Sequence, residues 1–86
     1  MNIICIYNIS GPLSTKVMNI LRKYLFHLQR SVFQGKLTPS KFRKLQDELA
    51  QISLKPEDQI RFFFTYRDEE LCEKTLGMPN KPRNII

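Results

Sequence analysis

Acidic side chains are missing from the first 46 residues of this 86-residue chain, and the first is Asp47. The same stretch carries eight basic residues: Lys16, Arg22, Lys23, Arg30, Lys36, Lys41, Arg43 and Lys44. Beyond it, six Lys/Arg meet eight Asp/Glu, so a strongly positive half is joined to a slightly negative one and the net charge is +6. A one-signed half sets up a field that draws in polyanions, phosphate backbones first among them. Glycine is scarce as well, with three in all, which excludes the usual Gly-rich phosphate loops and dinucleotide fingerprints. The single histidine, His27, has no acid near it in sequence, and no Ser-His-Asp arrangement can be argued when every acid lies past residue 46. Cys5 and Cys72 are the two cysteines, far apart, with no C-x-x-C and no His pair. Neither a disulfide scaffold nor a zinc site follows, and two buried, reduced thiols are expected. No apolar run reaches the ~18 residues that a membrane span needs, and no charged region precedes the opening apolar segment, so no signal peptide is expected.

What remains has the size of one small domain. A domain of this length buries only about 60–65% of its unfolded surface, so its core is marginal and pairing with a second copy would help. Apolar content of 42% is too high for a disordered chain.

Asn2 to Ile9 (NIICIYNI) is apolar on both faces, with Ile4, Ile6 and Asn8 on one side and Ile3, Cys5, Tyr7 and Ile9 on the other. This pattern predicts a central strand buried on both faces. Ser10-Gly11-Pro12 breaks it. Leu13, Val17, Ile20, Leu21, Tyr24 and Leu25 then form one helical stripe, with Lys16, Asn19, Arg22 and Lys23 away from it. Residues 27–37 read as extended, in one strand or two short ones. Thr38-Pro39 is a helix start, an N-cap followed by proline at the first helical position, and Phe42, Leu45, Leu49 and Ile52 continue at helical spacing. Gln59 to Tyr66 (QIRFFFTY) is the second clear strand, with Ile60, Phe62, Phe64 and Tyr66 on one side and Arg61, Phe63 and Thr65 on the other. Phe63, taken with Ile3 and Cys5, suggests that both faces of the sheet are covered. Two helices cover only one, and an identical chain is the simplest cover for the other.

The order is the βαββαβ plan of an α+β, ferredoxin-like sandwich. Residues 1–76 are expected to form it. Residues 77–86, with Gly77, Pro79 and Pro82, are expected to be a linker ending in Ile85-Ile86, a pair suited to adding a strand to a partner's sheet.

Two segments are more specific. Tyr7-Asn8-Ile9 closes the opening strand, and Gln29-Arg30-Ser31-Val32-Phe33-Gln34-Gly35 follows the first helix. In this order and spacing, the chain from Met1 to about Leu76 resembles the CRISPR-associated protein 2 family. That family opens with an apolar strand ending in Tyr-Asp-Ile and has a Gln-x-Ser-Val-Phe-x-Gly segment. Tyr7, Gln29, Ser31, Val32, Phe33 and Gly35 carry the match. The resemblance implies a cytoplasmic prokaryotic homodimer with its sheets face to face and its C-terminal strands exchanged. It implies either of two activities. One is magnesium-dependent endonuclease cleavage of RNA or double-stranded DNA. The other is a non-catalytic role in spacer acquisition, holding the protospacer duplex and bridging two dimers of the CRISPR-associated protein 1 integrase.

The chain departs from the family at two places. The metal-binding Asp position is Asn8 here. Magnesium takes hard oxygen ligands, generally carboxylates, and a carboxamide keeps an oxygen but loses the charge. At about 4 Å and an effective dielectric of ~20, a unit pair is nominally worth roughly 4 kcal/mol and a −1/+2 pair about twice that; even a third of the latter would weaken binding about a hundredfold. His27 stands where relatives carry a basic residue, and a histidine offers a phosphate little charge at pH 7. Lys16 falls near a family arginine that faces nucleic acid, and Arg22, Lys23 and Arg30 join it by charge placement. Phe33 is expected in the core. A generic RNA recognition motif is the third reading, and it needs an aromatic-rich, Gly-containing third strand that Ser31-Val32-Phe33-Gln34-Gly35 does not supply.

Overall fold

The computed structural model describes residues 1–65 and 70–77. Alternating side chains build β1 (Asn2–Asn8), and Gly11 and Pro12 then turn the chain into α1 (Pro12–Arg22). A short hairpin follows, β2 (Phe26–Gln29) and β3 (Val32–Lys36), then α2 (Pro39–Ala50), β4 (Gln59–Thr65) and β5 (Leu71–Gly77). The strands form one antiparallel sheet in the order β2-β3-β1-β4-β5. The first four strands and two helices make the ferredoxin-like α+β plan, with β1 at the centre.

The helices cover one face. Ile3, Cys5, Tyr7, Phe33, Ile60 and Phe62 from the sheet pack with Val17 and Leu21 of α1 and with Phe42, Leu45 and Leu49 of α2. Burial of this apolar surface is the main force holding the layers together. Phe42 stands edge-on to Phe62 and Phe64, with ring centroids 5.2 and 5.0 Å apart, the tilted geometry that aromatic quadrupoles prefer. Helix α2 begins as its sequence predicts: Thr38 Oγ1 accepts the Lys41 N–H at 3.2 Å, and Pro39 takes the first helical position. Gly35 lies against Leu25: a Cβ there would meet Leu25 Cδ2 at 3.0 Å and that side chain would have to shift by a few tenths of an ångström.

The structure corrects or narrows several expectations. β1 is central, but within one chain only its helix side is buried, while Ile4 and Ile6 stay about 40% exposed. Phe63 does not share a face with Ile3 and Cys5; it pairs with Ile4 on the bare side. Of the two readings of residues 27–37, the two short strands hold: Arg30 adopts φ +26° and reverses the chain between β2, which ends at Gln29, and β3. The fifth strand, β5, was not expected from the sequence. It carries Glu73 and Lys74 and few core residues, as edge strands do. Cys72 is half-buried rather than buried, and both cysteines are free. The Tyr66 position and the proposed linker and strand exchange beyond Gly77 lie outside the described residues. No helix among the described residues is long and apolar enough to cross a membrane.

Candidate nucleic-acid interface and metal position

The open face of the sheet reads as cross-strand rows. One runs Phe26, Gln34, Ile4, Phe63, Glu73, and the next Gln29, Val32, Ile6, Arg61, Thr75. Phe26, Leu28 and Leu71 are more than half exposed. Gln34, Gln29 and Thr75 interrupt these apolar rows, and Arg61 and Glu73 form an ion pair on them: Arg61 donates through Nε and Nη2 to Glu73 Oε2 at 3.1 and 2.7 Å and lies 5.5 Å from the Phe63 ring centre.

Asn8 closes β1 at the end of the same face. It is exposed and pairs in register with Gln59 of β4. On the other side Ser31 accepts the Tyr7 N–H at 3.1 Å, which brings the Arg30 turn to this end of the sheet. The acid next in sequence to Gln59 is Asp58. Its carboxylate is buried, with Oδ2 accepting the Lys55 N–H at 2.9 Å and Oδ1 without a hydrogen-bond partner among the described residues. It is closed off from the exposed Asn8 amide. No group of three His, Cys, Asp or Glu among the described residues could hold a metal ion. The side chains found around Asn8 therefore do not fit magnesium, whose ligands are hard and usually charged oxygens.

The structure disperses the five expected nucleic-acid contacts and the motif positions in different ways. Lys16 and Arg22 lie exposed on α1, Arg22 in its last turn, where a cation complements the helix dipole. Arg22 is also close enough to Tyr7 to oppose, with the Ser14 hydroxyl, the upward push that burial and Cys5 give the Tyr7 phenol. Lys23 is engaged: its Nζ meets Glu48 Oε1 at 2.6 Å, and the Tyr24 hydroxyl donates to Glu48 Oε2. His27 stacks flat on Phe33, 4.4 Å away at 8°, and its Nε2 is 2.7 Å from the Arg30 carbonyl. Its ring thus covers the core and braces the turn, with Arg30 exposed at the tip. Phe33 itself is fully buried, as expected of a core aromatic. Val32 and Ser31 are half-buried in the hairpin, and Gln29 is exposed. The double role of Glu48 was not legible, because it rests on contacts with side chains 25 and 24 residues away in sequence. Burial alone pushes the Cys5 thiol up to about 12, so it is no nucleophile at neutral pH.

A ferredoxin-like domain with a basic α1 surface, an apolar open face and the β2–β3 motif defines the class of protein. The family described as CRISPR associated protein Cas2 matches residues 1–74, and the chain belongs to that family. It is 33% identical over 78 residues to a protein of Thermotoga maritima named CRISPR-associated endoribonuclease Cas2, covering 91% of this chain and 90% of that one. It is 31% identical over 86 residues to a protein of the same name from Dictyoglomus turgidum, covering 100% and 99%. A solved structure described as the crystal structure of cas2 superposes with a TM-score of 0.64 at 23% identity, over 100% of this chain and 85% of that chain, and shows the same fold.

Glu48 generates a pH prediction. Hydrogen bonds from Lys23, then from Tyr24, hold its carboxyl below the ordinary value of 4.5. A carboxyl depressed in the folded state adds stability that is complete above its unfolded pKa and is lost as pH falls through the folded one. Denaturant midpoints measured from pH 7 down to 3 should therefore fall, and Glu48→Gln should flatten that acid limb.

Proposed function

We propose that this chain is a dimeric scaffold of CRISPR adaptation that holds protospacer duplex DNA and bridges two dimers of the CRISPR-associated protein 1 integrase, and that it is a poor or inactive nuclease. The observation that carries this reading is Asn8: the family's carboxylate position is neutral, and the neighbouring acid, Asp58, is buried away from it. Nothing in that arrangement would activate a water or gather a cation between two phosphate-facing groups. What the chain does supply is positive charge on α1, from Lys16, Arg22 and the partly compensated Lys23, with Arg30 at the hairpin tip. Such contacts fix the position of a duplex without reading its bases.

The bare sheet face supports the dimer. Ile4, Ile6, Phe26, Leu28 and Leu71 form an exposed apolar surface on a small domain, and surfaces of this kind mark interaction sites. Stacking two copies face to face would bury it and bring the two Asn8 ends towards each other. Ile6→Glu would place a charge in that contact.

Endonuclease activity is the second reading, favoured by the names that the Thermotoga and Dictyoglomus relatives carry. Cleavage of RNA and duplex DNA with Mg²⁺ or Mn²⁺ separates the two. The natural chain should cleave at least tenfold more slowly than Asn8→Asp; equal metal-dependent rates would overturn the scaffold preference. Duplex binding should weaken steeply with salt, with log K falling at a slope near −5 if about six phosphates are neutralised; a flat response counts against DNA holding. In sedimentation at micromolar concentration the natural chain should run as a dimer and Ile6→Glu as a folded monomer.

A further inference from the structure

Four lysines from three parts of the fold converge on one groove. Lys23 comes from the C-terminal end of α1, Lys36 from the exit of β3, and Lys41 and Lys44 from the first turns of α2. The groove has a volume of about 450 Å³, its remaining lining is Tyr24, Leu37 and Thr38, and no acid lines it. Glu48 holds the Lys23 ammonium, but Lys36, Lys41 and Lys44 have no ion pair among the described residues. The placement works against the fold. The first turn of a helix is its positive end and favours acids, yet the first turn of α2 has none and carries Lys41. Like charges gathered at that end repel one another, and an anion in the groove would relieve the repulsion.

The lining also indicates which anion. Lysine ammoniums are point charges suited to phosphate oxygens. No Asn, Gln, Asp or Glu lines the groove to read a base edge, and the Tyr24 hydroxyl is committed to Glu48. The chemistry fits a phosphate held by charge, and the groove's open mouth suits a strand passing over it.

We infer that this groove is a phosphate-binding site that grips the backbone of a nucleic acid at the start of α2, apart from the α1 surface of Lys16 and Arg22. The inference rests on the proposed DNA-holding role and adds a contact to it. The test uses the full chain and the Lys36→Gln/Lys41→Gln/Lys44→Gln variant, with an unchanged circular dichroism spectrum as the control for folding. A labelled DNA duplex is titrated across a range of salt, and inorganic pyrophosphate is titrated against the amide NMR spectrum. The variant should bind at least tenfold more weakly at low salt, with a salt slope shallower by about two to three, at roughly 0.9 per phosphate contact. Pyrophosphate should shift the amides of Tyr24, Ser40 and Lys41 in the natural chain and not in the variant. A natural chain that binds duplex with a slope the variant leaves unchanged overturns the groove and keeps the DNA-holding role. Pyrophosphate shifts at the groove without any duplex binding overturn the DNA-holding role and keep the groove as a phosphate site. Neither signal overturns both.

Discussion

The two-sided character of β1 constrains everything else in this molecule. Its odd-numbered side chains, Ile3, Cys5 and Tyr7, are the floor on which both helices pack. Its even-numbered ones, Ile4 and Ile6, are no more polar, yet two helices connecting four strands can cover only one side of a sheet. A strand this apolar at the centre of a sheet is stable in isolation only at the cost of wetting half of it. The exposed Phe26, Leu28 and Leu71 extend that surface to both sides of β1. The core of a domain of this size is marginal, so covering a second apolar layer would add a large fraction to its stability.

The distribution of charge follows a different logic. Helix α1 contributes only cations, and the first acid along the chain lies on α2. Glu48 uses its two oxygens on neighbouring partners, Lys23 and the Tyr24 hydroxyl, and so ties the end of α1 to α2. Its neighbours Lys41, Arg43 and Lys44 stay exposed. Fold and charge divide the surface unevenly: the sheet face is largely apolar, with Gln34, Lys36 and the Arg61–Glu73 pair on it, and the helix side carries most of the cations beside Asp47 and Glu48. Asn8 lies exposed and uncharged at the end of the sheet face, opposite Gln59.

Much of this was legible in the sequence because it depends on local spacing. The alternation of β1 and β4 assigned nearly every inward side chain correctly, and Thr38-Pro39 marked the start of α2 to the residue. The resemblance carried by Gln29 to Gly35 identified the family, and Phe33 is the core aromatic that its type led one to expect. The failures share a cause. β5 has no strong pattern of its own and is held by its pairing with β4, from Thr65–Leu71 to Gln59–Gly77. That two helices would leave one face of β1 bare followed from counting, but hydrophobicity did not say which face, since Ile4 and Ile6 are as apolar as Ile3 and Cys5. Lys23 read as a free phosphate ligand because its partner, Glu48, reaches it only through tertiary packing. The stacking of His27 on Phe33 likewise needs the hairpin, whose turn depends on the unusual backbone of Arg30.

The uneven coating of the helix layer has an effect on how identical molecules meet. Two copies drifting together with their helices foremost bring like-signed ammonium and guanidinium groups within a screening length of about 8–10 Å and are pushed apart. Copies arriving with their sheets foremost meet almost no such barrier. The same cations that would attract a polyanion would also act as an orientation filter, biasing any self-encounter towards the sheet faces before contact.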